Sequence, residues 1–201
     1  ETAHQLGTPL TSLVAWIEYL KATSAEGDAL TEMQKDVERL QLIADRFSKI
    51  GSVPKLEEEH LLEHLNNIVS YMQKRASKNV RFSVNANKDD VLVVISGPLF
   101  DWVIENLIRN ALDAMDGHGE ISIHVRDEIT QTIIDVCDTG KGISAQHIKK
   151  VFKPGFSTKK RGWGLGLSLA KRIISEYHYG EIFVKKSEPG KGTTFRIILN
   201  R

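Results

Sequence analysis

VFKPGFSTKKRGWGLGL, residues 151–167, is the stretch on which the fold turns. It is polar, basic and rich in glycine, and it runs straight into a helical pattern, LGLSLAKRIISEY (165–177). Gly162, Gly164, Leu165 and Gly166 sit where that helix begins. Backbone N–H groups at a helix start bind phosphate, and Lys159, Lys160 and Arg161 add positive charge beside them. The length of the segment predicts a lid over a phosphate ligand; the plainer alternative is a solvated basic loop. A dinucleotide-binding glycine turn follows the first strand of a parallel βαβ unit, whereas these glycines come late.

Upstream, PLFDWVIENLIRNALDAM (98–115) predicts a strong helix with Pro98 in its first turn. Asn106 and Asn110 share one face of it at i, i+4. Amide oxygens of this kind complete the shell of a Mg²⁺ that takes its other ligands from phosphate and water, or they are two surface asparagines. In DTGKGI (138–143), Asp138 ends a strand and is followed by Gly140 and Gly142. A carboxylate there can accept a hydrogen bond from an exocyclic amine, with glycine backbone against a flat base; the alternative is a polar turn. GKGTTF (190–195) turns into the last strand and offers Thr193 and Thr194 beside the same base, or is simply a hairpin.

Other segments fill in the architecture. A helix is expected over 60–76 and strands over 80–86, 91–96, 120–127, 132–138, 181–187 and 193–200. Mixed strands and helices predict an α+β class in which helices cover one face of a mixed, mainly antiparallel sheet. Ahead of it, Ala3, Leu6, Leu10, Leu13, Ile17 and Leu20 form a heptad seam, and Leu30, Met33, Val37, Leu40, Ala44 and Phe47 form a second. The break SAEGD (24–28) makes these an antiparallel hairpin. Two helices bury too little alone, so a homodimeric four-helix bundle is expected, against a hairpin packed on its own chain. Gly51–Pro54 reads as a hinge, giving domains at 1–53 and 54–201.

AHQLGTPL (3–10) places Gly7 and Pro9 inside the first helical pattern. At about 100° per residue, His4 lies about 160° from Leu6, on the face away from the seam. Thr8 follows at i+4 on the same stripe. Pro9 removes the hydrogen bond to the Gln5 carbonyl and bends the helix beside the ring. An exposed imidazole on a bent, small-residue patch suits a nucleophile reached from outside; a plain surface histidine is the alternative.

The chain has 201 residues, 41% hydrophobic and 26% charged, with a net charge of +1. Bulk charge favours neither nucleic acid nor an anionic membrane. The single cysteine, Cys137, forms no internal disulfide, so a reducing compartment is the default. No apolar run reaches the ~18 residues that span a bilayer. A cytoplasmic location without membrane contact is expected for this stretch, and an anchor elsewhere in a longer protein stays open.

In order and spacing these motifs resemble the transmitter core of two-component sensor histidine kinases. AHQLGTPLTSL looks like the phosphoacceptor box, NLIRNALDA the asparagine box, DTGKGI the first glycine box, FKPGFSTK the phenylalanine box, and GWGLGL with GKGTTF the later glycine boxes. The resemblance implies a dimeric hairpin carrying a phosphorylatable His4 and an ATP-binding domain. It implies that Asn110 is the Mg²⁺ ligand, that Asn106 lies near the phosphates, and that Asp138 takes the adenine amino group with Gly140 and Gly142 beside the ring. Lys159 and the Gly164/Gly166 backbone would hold phosphate. A response-regulator receiver domain is the implied partner. Three positions depart from the family's habit. Gln5 replaces an acidic residue and would orient the ring rather than take its proton, Gly7 replaces a common arginine, and Asp113 stands where many relatives have lysine. Two other classes remain. One is an ATP-hydrolysing conformational switch, which would want glutamate at position 106. The other is a non-catalytic nucleotide-sensing dimerisation module.

Overall fold

A computed structural model describes residues 54–159 and 164–201, together with Leu13, Val14, Ile17, Glu18, Leu20 and Val37. The chain divides into two compact units, Glu1–Pro54 and Lys55–Arg201.

In the first unit Leu13, Val14, Ile17, Glu18, Leu20 and Val37 are all helical. Ile17 and Val37, one from each heptad seam, are buried together with Val14 packed against them. Leu13, also a seam residue, is 42% exposed within the single chain.

The second unit begins with β1 (Glu57–His60) and α1 (Leu61–Gln73), followed by β2 (Val80–Ala86) and β3 (Leu92–Ile95). Next come α2 (Gly97–Ala114), β4 (Gly119–Asp127), β5 (Gln131–Asp138) and the short α3 (Ala145–Ile148). Last are α4 (Gly166–Arg172), a π-helical turn (Ile173–Tyr177), β6 (Glu181–Glu188) and β7 (Gly192–Asn200). Five strands form one sheet in the order β2-β4-β5-β7-β6, while β1 and β3 form a separate antiparallel pair. Only β2 and β4 run parallel in the large sheet, because α2 separates them in the chain. The α+β class with a mixed, mainly antiparallel sheet is therefore what the chain adopts.

Alternation sets the layers. Ile121, Ile123 and Val125 of β4, Ile134 and Val136 of β5, and Phe195, Ile197 and Leu199 of β7 are buried on the helix side. Leu99, Phe100, Val103, Ile104, Leu107, Ile108 and Ala111 form the buried stripe of α2. Leu61, Leu65, Ile68, Val69 and Met72 do the same for α1. The other sheet face carries charge. Asp135 receives Arg196 Nε at 2.7 Å and Nη2 at 2.8 Å, and Lys185 Nζ at 2.9 Å. Burial alone would raise its carboxyl pKa, but these cations outweigh burial and hold it below the ordinary carboxylate value.

His178, directly after the π-helical turn, is buried. Its Nδ1–H donates to the Ile173 carbonyl at 3.0 Å, and its Nε2 accepts the Ser96 N–H at 3.1 Å. Burial pushes its pKa down, which fits this neutral tautomer. The sequence predicted one helix over 165–177, and the π turn is where the chain departs from it. Among the described residues, no helix is long and apolar enough to cross a membrane.

Candidate functional site

The site is built around α2. At its C-terminal end lies the loop after β5. Asp138 is half-buried at the end of the strand, and its Oδ1 accepts the Gly140 N–H at 2.8 Å and the Thr193 N–H at 3.3 Å. Burial raises its pKa against the pull of those two donors. The loop is moored on both sides. Lys141 N–H donates to the Ala114 carbonyl at 2.9 Å, Gly190 N–H to the Lys141 carbonyl at 2.9 Å, and Ile143 N–H to Ser187 Oγ at 2.7 Å. Ser187 Oγ also lies 2.9 Å from Thr193 Oγ1.

Two glycines make this docking possible. A Cβ on Gly140 would sit 2.7 Å from the Ala114 Cβ. Gly142 has φ +72°, and a Cβ there would sit 2.7 Å from the Glu188 carbonyl carbon and overlap its oxygen. The result is a carboxylate flanked by backbone free of side chains at positions 140 and 142.

One turn back along α2, Asn106 and Asn110 are both half-buried. Gly166, the first residue of α4, lies directly over Asn106, and a Cβ on it would overlap Asn106 Oδ1. Asn106 Nδ2 is buried with no hydrogen-bond partner among the described residues, a costly state that a ligand acceptor would relieve. Lys159 Nζ donates to Asn110 Oδ1 at 2.8 Å and to Asp113 Oδ2 at 2.6 Å. Gly164, at φ +64°, fits against the backbone of Gly155 and Phe156, and its carbonyl accepts the Gly155 N–H at 3.1 Å. Phe152 packs edge-on to Phe195, with ring centroids 6.2 Å apart. Leu165 is partly exposed, and its carbonyl accepts from Leu169 N–H and Ser168 Oγ.

Two clusters therefore share one helix. Asp138, Gly140, Gly142 and Thr193 lie at its end, and Asn106, Asn110, Lys159 and Gly166 lie along it, with Ala114 one turn beyond Asn110. Thr194 does not join them. It points to the opposite sheet face, where its Oγ1 donates to Cys137 Sγ at 3.4 Å, because neighbouring strand residues alternate and Thr193 holds the inner position. His4, Gln5, Thr8, Arg161 and Gly162 lie outside the described residues. Ser187 and Asp113 carry site contacts that the sequence assigned to neither. The period-2 pattern that opens with Thr193 could have pointed to a cross-strand neighbour for it; nothing local marks Asp113 as a lysine partner.

A half-buried strand-end carboxylate, a glycine-lined loop and an asparagine helix under a glycine helix start define a nucleotide-binding α/β sandwich. The chain belongs to the histidine kinase-, DNA gyrase B- and HSP90-like ATPase family, which residues 97–201 match. Over 98% of its length it is 31% identical to the sensor histidine kinase ZraS of Salmonella typhimurium, covering 44% of that protein. The catalytic domain of the histidine kinase ThkA is 28% identical, with a TM-score of 0.66 over 72% of this chain and 95% of that domain. ThkA in complex with the response regulator TrrA shares the fold over 99% of this chain and 59% of that one, with a TM-score of 0.71 at 23% identity. The chain spans less than half the length of the curated relatives it matches.

Proposed function

We propose that this chain is the transmitter portion of a sensor histidine kinase, with a phosphoacceptor hairpin over 1–53 and an ATP-binding domain over 54–201. The carrying observation is Asp138 with its two docked glycines: an acceptor for an exocyclic amine beside backbone that a flat base can approach. The orphan donor of Asn106 fits the phosphate end of the same ligand. Mg²⁺ fits as well, with Asn110 as its protein ligand; when bound, it neutralises charge on the phosphates.

His4 is the proposed nucleophile. An imidazole with an ordinary pKa near 6.5 is mostly neutral at pH 7, so a ring nitrogen holds a free lone pair. That nitrogen attacks the γ-phosphorus of ATP, the bond to the β–γ bridging oxygen breaks, and ADP leaves. Gln5 orients the ring by accepting its N–H, and Thr8 lies on the same stripe. A receiver-domain aspartate oxygen then attacks phosphorus, and the P–N bond breaks. The pairing of ThkA with TrrA supports a response regulator as this partner. The same reading puts the chain in the cytoplasm, where ATP is supplied. The exposed seam residue Leu13 supports a second copy of the hairpin as its cover, giving a homodimer.

Incubation with γ-labelled ATP tests the proposal. Acid-labile, base-stable label is expected on wild type and absent from His4→Ala and Asn110→Ala. ATP turnover that survives His4→Ala unchanged would favour the hydrolytic switch. Nucleotide binding without label or turnover would favour the sensing module.

A further inference from the structure

Lys159 holds a position that its expected role beside phosphate does not explain. Its ammonium is shared by Asn110 Oδ1 and Asp113 Oδ2, at 2.8 and 2.6 Å, which stand at i and i+3 on one face of α2. A lysine ammonium has three donors on a compact charge, so two acceptors one helical turn apart suit it. Its backbone is fixed locally, since Lys159 N–H donates to Ser157 Oγ at 3.1 Å. Asn110 Oδ1 is also the oxygen assigned above to metal. Two cations in contact with one amide oxygen repel each other, so one leaves as the other arrives.

We propose that Lys159 and Asp113 form a displaceable cation clasp on Asn110, in which Asp113 is a positioning residue that sets how much divalent metal is needed to load nucleotide. The proposal rests on Asn110 being the metal ligand. Without nucleotide, Nζ covers the Asn110 oxygen and Asp113 holds it there. Loading moves Nζ off that oxygen, where it is free to turn to phosphate. Asp113 carries the ionic half of the clasp: without its charge, the lysine has only a neutral amide to keep it in place. The pair is partly exposed, at 41% and 49%, so the clasp is weak enough to be exchanged.

The test uses the 201-residue chain as wild type, Asp113→Asn, Asp113→Glu, Lys159→Met and the double variant Asp113→Asn/Lys159→Met. Trace acetylation of lysines without nucleotide or metal, read by mass spectrometry against Lys186, reports the clasp directly. Lys159 is expected to label about two- to fivefold faster in Asp113→Asn, the range of an exposed ion pair, and at the wild-type rate in Asp113→Glu. The Mg²⁺ concentration for half-maximal binding of a fluorescent ADP analogue is expected to fall by a similar factor in Asp113→Asn. That effect should vanish when Lys159 is already methionine. Unchanged labelling of Lys159 in Asp113→Asn overturns the clasp, and fully additive effects on the Mg²⁺ requirement overturn the competition. A wild-type chain that binds no nucleotide at any Mg²⁺ concentration defeats the proposed function instead, and the labelling comparison still decides the clasp.

Discussion

Gly142→Ala and Gly190→Ala form a controlled pair, because both glycines have left-handed backbone, φ +72° and +78°. The strain of placing alanine there is common to both, about 1–2 kcal/mol. Each alanine also stiffens the unfolded chain, which returns about 0.4–1 kcal/mol. The net shared cost is therefore about 1 kcal/mol. Space separates the two. A Cβ on Gly190 meets nothing within 4 Å, whereas one on Gly142 overlaps the Glu188 carbonyl. Backbone faces the clash on both sides, so the loop has to lift from the β6–β7 hairpin. That breaks the Gly190 N–H bond to Lys141 and the Ile143 N–H bond to Ser187, which are 2.9 and 2.7 Å long. At about 1 kcal/mol per bond, Gly142→Ala should lose about 3 kcal/mol against about 1 for Gly190→Ala. Urea denaturation of both variants gives the difference, and fluorescent-nucleotide titration should show lost affinity in Gly142→Ala alone. Equal stabilities within 0.5 kcal/mol (about the error of such comparisons) would refute the docking argument.

Asp138→Asn should lose nucleotide binding while gaining stability at pH 7. The raised folded pKa means that the protonated form suits the fold; its benefit is full below the ordinary 3.8 and is lost as pH rises through the folded value, so wild type carries the cost at neutral pH. The stability gap should close below pH 3.8 in denaturation series. His178→Phe should cost about 1–3 kcal/mol by orphaning the Ser96 N–H. Because burial lowers the His178 pKa, wild type keeps this stability above 6.5 and loses it as pH falls toward the folded value. The phenylalanine variant should lack that slope. Asp135→Asn should cost about 1.5–3 kcal/mol at pH 7, since it weakens charged hydrogen bonds to Arg196 and Lys185. Its folded pKa is lowered, so the deficit should shrink as pH falls below the ordinary 3.8.

Much of the second unit was legible because its strands alternate. The expectation of 80–86 matches β2, and those for 120–127, 132–138 and 193–200 fall within one residue of β4, β5 and β7. The strand Glu57–His60 was not legible: four consecutive polar residues carry no period, and only pairing with β3 makes them extended. The four-residue α3 is likewise too short to show one. The π turn at Ile173–Tyr177 depends on His178 reaching back to the Ile173 carbonyl, a contact that helical spacing does not announce. At the site, Asp138 and the asparagine pair stood out by residue type and position. Lys159 did as well, but as a phosphate ligand; its attachment to Asp113 spans 46 residues and exists only once the chain is folded.

The hydrogen bond from Gly155 N–H to the Gly164 carbonyl brings both ends of the intervening segment to one point. The closure lies two residues ahead of Gly166, where α4 starts. Lengthening such a loop is cheap, about 0.6 kcal/mol for each doubling. A foreign peptide spliced in after Lys159 would thus lengthen a loop whose two ends are already held together, which makes this stretch a natural place to build a genetically encoded reporter of nucleotide occupancy.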